Sequence, residues 1–152
     1  MADKKKATYE DTQLILRLYE LRREEKMREA RDWFVREFFP ETIEDIKEIS
    51  SPTSPHNTHF RMVVSYWDMA ASFAVRGPLN AELLLESSGE LIMVWAKLEH
   101  LMPEIRELSK LPEYLRNVEE IINQVEWAPI RVKWLQERIP TYRAQVSQSE
   151  SS

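Results

Sequence analysis

The 152-residue chain contains no cysteine. Disulfides, thiolate metal sites, cysteine nucleophiles and iron–sulfur clusters are excluded with it. Glycine occurs twice, at Gly77 and Gly89. So small a supply argues against hairpin-rich sheets and against glycine-rich phosphate loops, and neither GxGxxG nor GxxxxGK[ST] occurs. Long apolar runs are also missing. The most apolar stretch, Phe60 to Val75, is interrupted by Arg61 and Asp68 and falls short of the roughly 20 residues a spanning helix needs. Lys4-Lys5-Lys6 leads into no apolar segment, which is not the pattern of a signal peptide; a soluble cytoplasmic protein is expected. The net charge of -5 and pI of 5.4 supply no broad basic face, so no nucleic-acid partner is expected.

With 43% hydrophobic and 31% charged residues, the composition supports one packed domain rather than disorder. Residues 1–7 read as a flexible tail, 8–146 as a single helical domain, and 147–152 (Ser-Gln-Ser-Glu-Ser-Ser) as a second tail. Thr8-Tyr9-Glu10-Asp11 resembles a capping box, and neither glycine nor proline occurs after it until Pro40. This predicts one long N-terminal helix with a bend near Arg22–Glu25, where charges replace the apolar stripe. Ser50 to Asn57 is the clearest loop. Gly77-Pro78 stops the next helix, Ser87-Ser88-Gly89 and Pro103 divide the stretch from Asn80 to Leu108, Leu111-Pro112 opens a later helix, and Pro129 breaks or kinks it ahead of a last helix to about Arg138. Pro140 reads as the end of the last one. No strand pattern and no repeat is found. The expected fold is all-α, an irregular bundle of about five to seven helices.

Residues 58–76 form its expected centre. Phe60, Val63, Val64, Trp67, Ala70, Ala71 and Ala74 cover one side, and Met62, Tyr66, Met69 and Phe73 another. Only a narrow line remains polar: Arg61, Ser65, Asp68, Ser72 and Arg76, at steps of four and three. A helix apolar over most of its circumference is surrounded by other helices. The line is either solvated or a groove in which Tyr66, Trp67, Asp68 and Arg61 bind a ligand. A buried Asp68 then needs a basic or hydroxyl partner. Tyr66-Trp67-Asp68-Met69-Ala70, with Val75-Arg76-Gly77-Pro78-Leu79-Asn80 after it, resembles a bacterial family of small helical domains of unknown function. That resemblance implies a helical fold and brings no activity or site residues with it.

His56 and His59 have HxxH spacing but lie at a loop–helix junction, and a zinc site needs a further ligand. No glutamate precedes a histidine by three positions, as di-iron bundles require. Glu82, Glu86 and Glu90 recur every four residues and read as a solvated face. No metal, cofactor or catalytic residue is expected. The C-terminal segment is different. Trp127, Ile130 and Trp134 fall on one helical side and Ala128, Val132, Leu135 and Ile139 on another, with Arg131, Lys133 and Arg138 among them. One side can pack on the bundle; Trp127, Ile130, Arg131 and Trp134 are then candidates for an interface. The leading expectation is a non-catalytic interaction module, homodimeric through this helix. A small-molecule-binding or hydrolytic protein with a pocket at Asp68 is the alternative, and attachment to a membrane surface a weaker one.

Overall fold

The apolar circumference of the central segment decides the architecture. The computed structural model describes residues 5–152. In it α4 (Asn57–Val75) buries Phe60, Val63, Val64, Trp67, Ala70, Ala71 and Ala74. Before it come α1 (Tyr9–Arg22), α2 (Glu25–Arg36) and α3 (Ile43–Ser50). After it come α5 (Ala81–Ser87), α6 (Gly89–Leu98), a 3-10 turn (Glu99–Leu101), α7 (Met102–Ser109), α8 (Arg116–Gln124) and α9 (Ala128–Glu150). The described residues contain no strand, and the chain is an all-α irregular bundle. α2 and α8 flank α4, with α3, α5 and α6 also against it, while α9 lies on α6 and α8. One continuous core runs from Leu18 to Ile139.

The N-terminal helix is two helices. The chain leaves helical geometry at Glu24, whose carboxylate accepts from the Met27 amide at 3.1 Å and so caps α2. The Arg22 carbonyl, next to this break, accepts from Arg31 Nη1 at 3.1 Å. The charge run at Arg22–Glu25 thus ends one helix and starts another, which a bend would not do. Further helices are short, and the bundle holds nine α-helices among the described residues. α8 begins later than Pro112, at Arg116, because Leu115 adopts a left-handed backbone (φ 53°) ahead of it. Pro103 and Pro129 sit in the first turns of α7 and α9, where a missing N–H costs nothing. Pro140 does not end α9, which continues to Glu150 and takes in most of the segment read as a tail. Beyond Pro140, Arg143 pairs with Glu41 at 3.3 Å and ties this last part to the α2–α3 link.

The capping box at the start of α1 is present: Asp11 receives the Thr8 amide at 2.7 Å, and Thr8 Oγ1 receives the Asp11 amide at 3.2 Å. Asp11 is buried and also accepts from the Asn80 amide at 2.8 Å. The Thr8 amide, foremost among these donors, holds its carboxyl below the usual range. Asn80 caps α5 through the Leu83 amide at 2.9 Å and donates to the Lys5 carbonyl at 2.6 Å. Gly77 (φ 105°) makes this turn possible, since a side chain is strained there. Of the expected N-terminal tail, residues 1–4 lie outside the described residues; Lys5 is engaged, its Nζ donating to the Gly77 carbonyl at 2.8 Å.

A buried cation closes α2. Lys97 on α6 is 1% exposed, and its Nζ donates to the carbonyls of Phe34, Phe38 (2.7 Å) and Val35 (3.1 Å). It also lies 3.9 Å from the Phe39 ring centroid. An ammonium has three donors, and three orphan carbonyls at a helix end take them. Burial pushes its pKa down to about 7, against the pull of the Glu90 charge and with a further push from Arg143. An unfolded lysine titrates near 10.4. Between those values the unfolded chain binds the proton that the folded chain releases, so stability rises with pH across that window. Lys97→Met should cost about 1–3 kcal/mol through unsatisfied carbonyls. Its deficit in melting temperature against the native chain should widen from pH 7 to pH 9.5; a constant deficit contradicts the burial effect.

Candidate functional site

Ser65, Asp68 and Ser72 of the polar line on α4 are spent on structure. Asp68, half-buried, points at the start of α8: its carboxylate accepts from Asn117 Nδ2 at 3.1 Å and from the Val118 amide at 3.3 Å. A carboxylate at a helix N-terminus satisfies orphan amides and complements the helix dipole. Its partners are amides rather than the base or hydroxyl anticipated for a buried Asp68. Tyr114 lies in this corner, and burial together with the Asp68 charge pushes its phenol up to about 12. Ser65 and Ser72 turn their hydroxyls back onto carbonyls of their own helix. Arg61 is exposed at one end of the line.

Tyr66 and Trp67 face elsewhere. Tyr66 donates its hydroxyl to the Leu18 carbonyl on α1. Burial raises its pKa, opposed by the neighbouring Arg22. Trp67 is fully buried and donates Nε1–H to Glu90 Oε1 at 3.0 Å. Arg31 of α2 meets both Glu90 oxygens through Nε, at 3.1 and 3.0 Å. Arg22 lies 5.4 Å from the Trp67 ring centroid and donates to the Ser87 carbonyl at 3.4 Å. Glu90 therefore joins α2, α4 and α6 at one point. Tyr66, Trp67, Asp68 and Arg61 line none of five open clefts, of about 280 to 620 Å³, which are formed by other residues.

α9 divides as its pattern anticipates. Ala128, Val132, Leu135 and Ile139 are buried against the bundle. On the other side Ile130 is 69% exposed and Trp134 44%. Arg138 stacks on the Trp134 ring at 3.8 Å and donates Nη1–H to its carbonyl at 2.8 Å; Arg131 lies 5.7 Å from the same ring. Trp127, half-buried, reaches Glu82 at 3.4 Å. Trp127, Ile130, Arg131 and Trp134 together line an open cleft of about 470 Å³. The fold thus brings these four interface candidates together on an accessible surface.

Sequence reasoning passes over Glu90 and Lys97. Spacing groups Glu90 with Glu82 and Glu86 on a solvated face, but the break at Ser88 changes the helix that carries it. The available signal is its neighbourhood: a lone acid in the first turn of Gly89–Leu98, ahead of Leu91 and Ile92. Lys97 likewise lies between Ala96 and Leu98, both buried.

The family model described as a domain of unknown function (DUF4760) matches residues 7–127. No curated protein and no solved structure matches the chain. The matched span ends one residue before α9 begins. Among the described residues no helix is long and apolar enough to cross a membrane.

Two substitutions test this geometry. Glu90→Ala strands the Arg31 guanidinium and the Trp67 N–H, and should cost about 3 kcal/mol. For a chain of this size, thermal unfolding should then fall by roughly 6–12 °C. Asp68→Asn should cost about 1 kcal/mol, the worth of a helix cap. It should also lower the Tyr114 titration, read as the ultraviolet difference between chains with and without Tyr114→Phe. An unchanged Tyr114 midpoint would separate that residue from Asp68.

Proposed function

The chain belongs to the DUF4760 family, a domain of unknown function, and from that premise we propose that it is a non-catalytic interaction module that pairs with a second copy of itself through α9. The observation that carries this reading is the exposure of Ile130 and Trp134 on a helix whose opposite side is anchored in the core. Apolar and aromatic side chains framed by arginines are characteristic of interfaces. A cytoplasmic bacterial setting is part of the same reading, with the cysteine-free composition in its support.

Charge order along α9 favours an isologous pair. A two-fold axis through Trp134 runs two copies of α9 antiparallel, so that each residue before Trp134 meets the one equally far after it. Arg131 then faces Glu137 of the partner subunit, and the symmetry repeats the pair. Ile130 faces Arg138 of the partner subunit, and the two Trp134 rings meet at the centre. At 3.6 residues per turn, positions 130, 131, 134, 137 and 138 all lie within about 60° of one line. Glu137 and Arg131 are both exposed.

Sedimentation equilibrium across a range of concentrations tests the proposal. The mass should rise from 18.1 kDa towards twice that value. Trp134→Ala should abolish the rise. Arg131→Glu and Glu137→Arg should each weaken association by about tenfold, since like charges then face each other twice across the axis. The double reversal should restore it. A mass of 18.1 kDa at every concentration refutes self-association, and failure of the double reversal refutes the antiparallel register.

A further inference from the structure

The α3–α4 junction holds the two neighbouring histidines, and the fold turns their rings towards each other. His56 Nδ1 and His59 Nδ1 are 3.2 Å apart. His56 precedes α4 and His59 lies in its first turn, so the HxxH spacing brings both rings to one side of the helix start. His56 does not cap the helix with its side chain. Its ring instead stacks on Trp33 of α2, with centroids 4.9 Å apart and planes 14° from parallel. Trp33 is stacked in turn by Phe38 at 4.9 Å. His59 lies tilted to the same indole at 6.0 Å. Both histidines are half-buried, with access to solvent.

We propose that His56 and His59 form a two-histidine site for a divalent late transition ion of the zinc class. Without an ion, one Nδ1–H donates to the lone pair of the other ring. A metal ion replaces that shared proton and takes both lone pairs. The spacing suits this exchange: two imidazole nitrogens bound at 2.0–2.1 Å in a tetrahedral arrangement are about 3.3 Å apart. Right-angled coordination, as in square-planar copper, needs about 2.8 Å. The stack on Trp33 fixes the His56 ring plane before binding, which is the orienting role that outer groups play around metal ligands. The cleft that His56 lines is also lined by Glu37, Asp45 and Glu48, whose charges favour a cation. The positive end of α4 opposes it. Among the described residues no group of three or more His, Asp or Glu converges to hold a metal. Solvent therefore completes the coordination, and the site takes up and releases its ion rather than locking it into the fold.

Titration calorimetry of the full chain with zinc chloride tests this. One ion per chain should bind, and binding should fade as acid protonates the imidazoles. His56→Gln and His59→Gln should each weaken it by at least about tenfold. His100→Gln, at an exposed position on the 3-10 turn, should leave it unchanged. Circular dichroism of each variant establishes that it is folded. Cobalt(II) provides a second readout: visible bands of tetrahedral intensity should appear with the native chain and vanish in either variant. Zinc binding that survives both single substitutions overturns the site, as does the absence of binding by the native chain.

Discussion

Enclosure of α4 is the constraint on which the rest of the fold depends. A helix apolar on most of its surface has to be wrapped, and the chain wraps it with α2, α8, α5, α6 and α3. Ala70, Ala71 and Ala74 keep its last turns thin, so that neighbours approach closely. Trp67, fully buried at its middle, carries a polar N–H into that interior. Burying this donor without a partner is costly, and Glu90 supplies the partner. A carboxylate there needs its own counter-charge, and Arg31 provides it. One buried indole thus sets the placement of α2 and α6.

The same logic recurs at three other places where helices meet. Asp68 covers the start of α8, Lys97 the end of α2, and Asp11 joins the start of α1 to the turn ahead of α5. Helix ends that local capping leaves open are closed by side chains far away in sequence. This explains how a chain with two glycines holds nine helices among its described residues. It also accounts for the residues from Tyr66 to Asn80. Trp67-Asp68 reaches α6 and α8, and Gly77 to Asn80 makes the turn that binds Asp11. These residues are tied to the fold rather than gathered around a substrate. On α9, beyond the family-matched segment, Ile130 and Trp134 are exposed.

Periodicity made the helices legible. The stripe on α4, the capping box at Thr8, and the two-sided pattern of α9 can all be read from residue spacing alone. Spacing does not carry the identity of tertiary partners. Nothing near Glu90 in sequence announces Arg31, fifty-nine positions away, and nothing near Lys97 announces two carbonyls on α2 and a third just past its end. The break at Arg23–Glu24 was legible in place but not in kind, because Glu24 can either pair along a helix or cap a new one. Pro140 misleads for a related reason. Proline removes a single hydrogen bond and tends to end helices, yet packing before it and the Arg143–Glu41 pair beyond it keep α9 continuous.

Native-state hydrogen exchange tests the central role of α4 most directly. Amides of residues 63–74 should exchange only through global unfolding, with a protection free energy equal to that of the whole chain and the same sensitivity to denaturant. The end of α9 beyond Pro140 should open first and independently. Exchange of the α4 amides through a local opening, while α2 or α8 remains protected, would contradict the account.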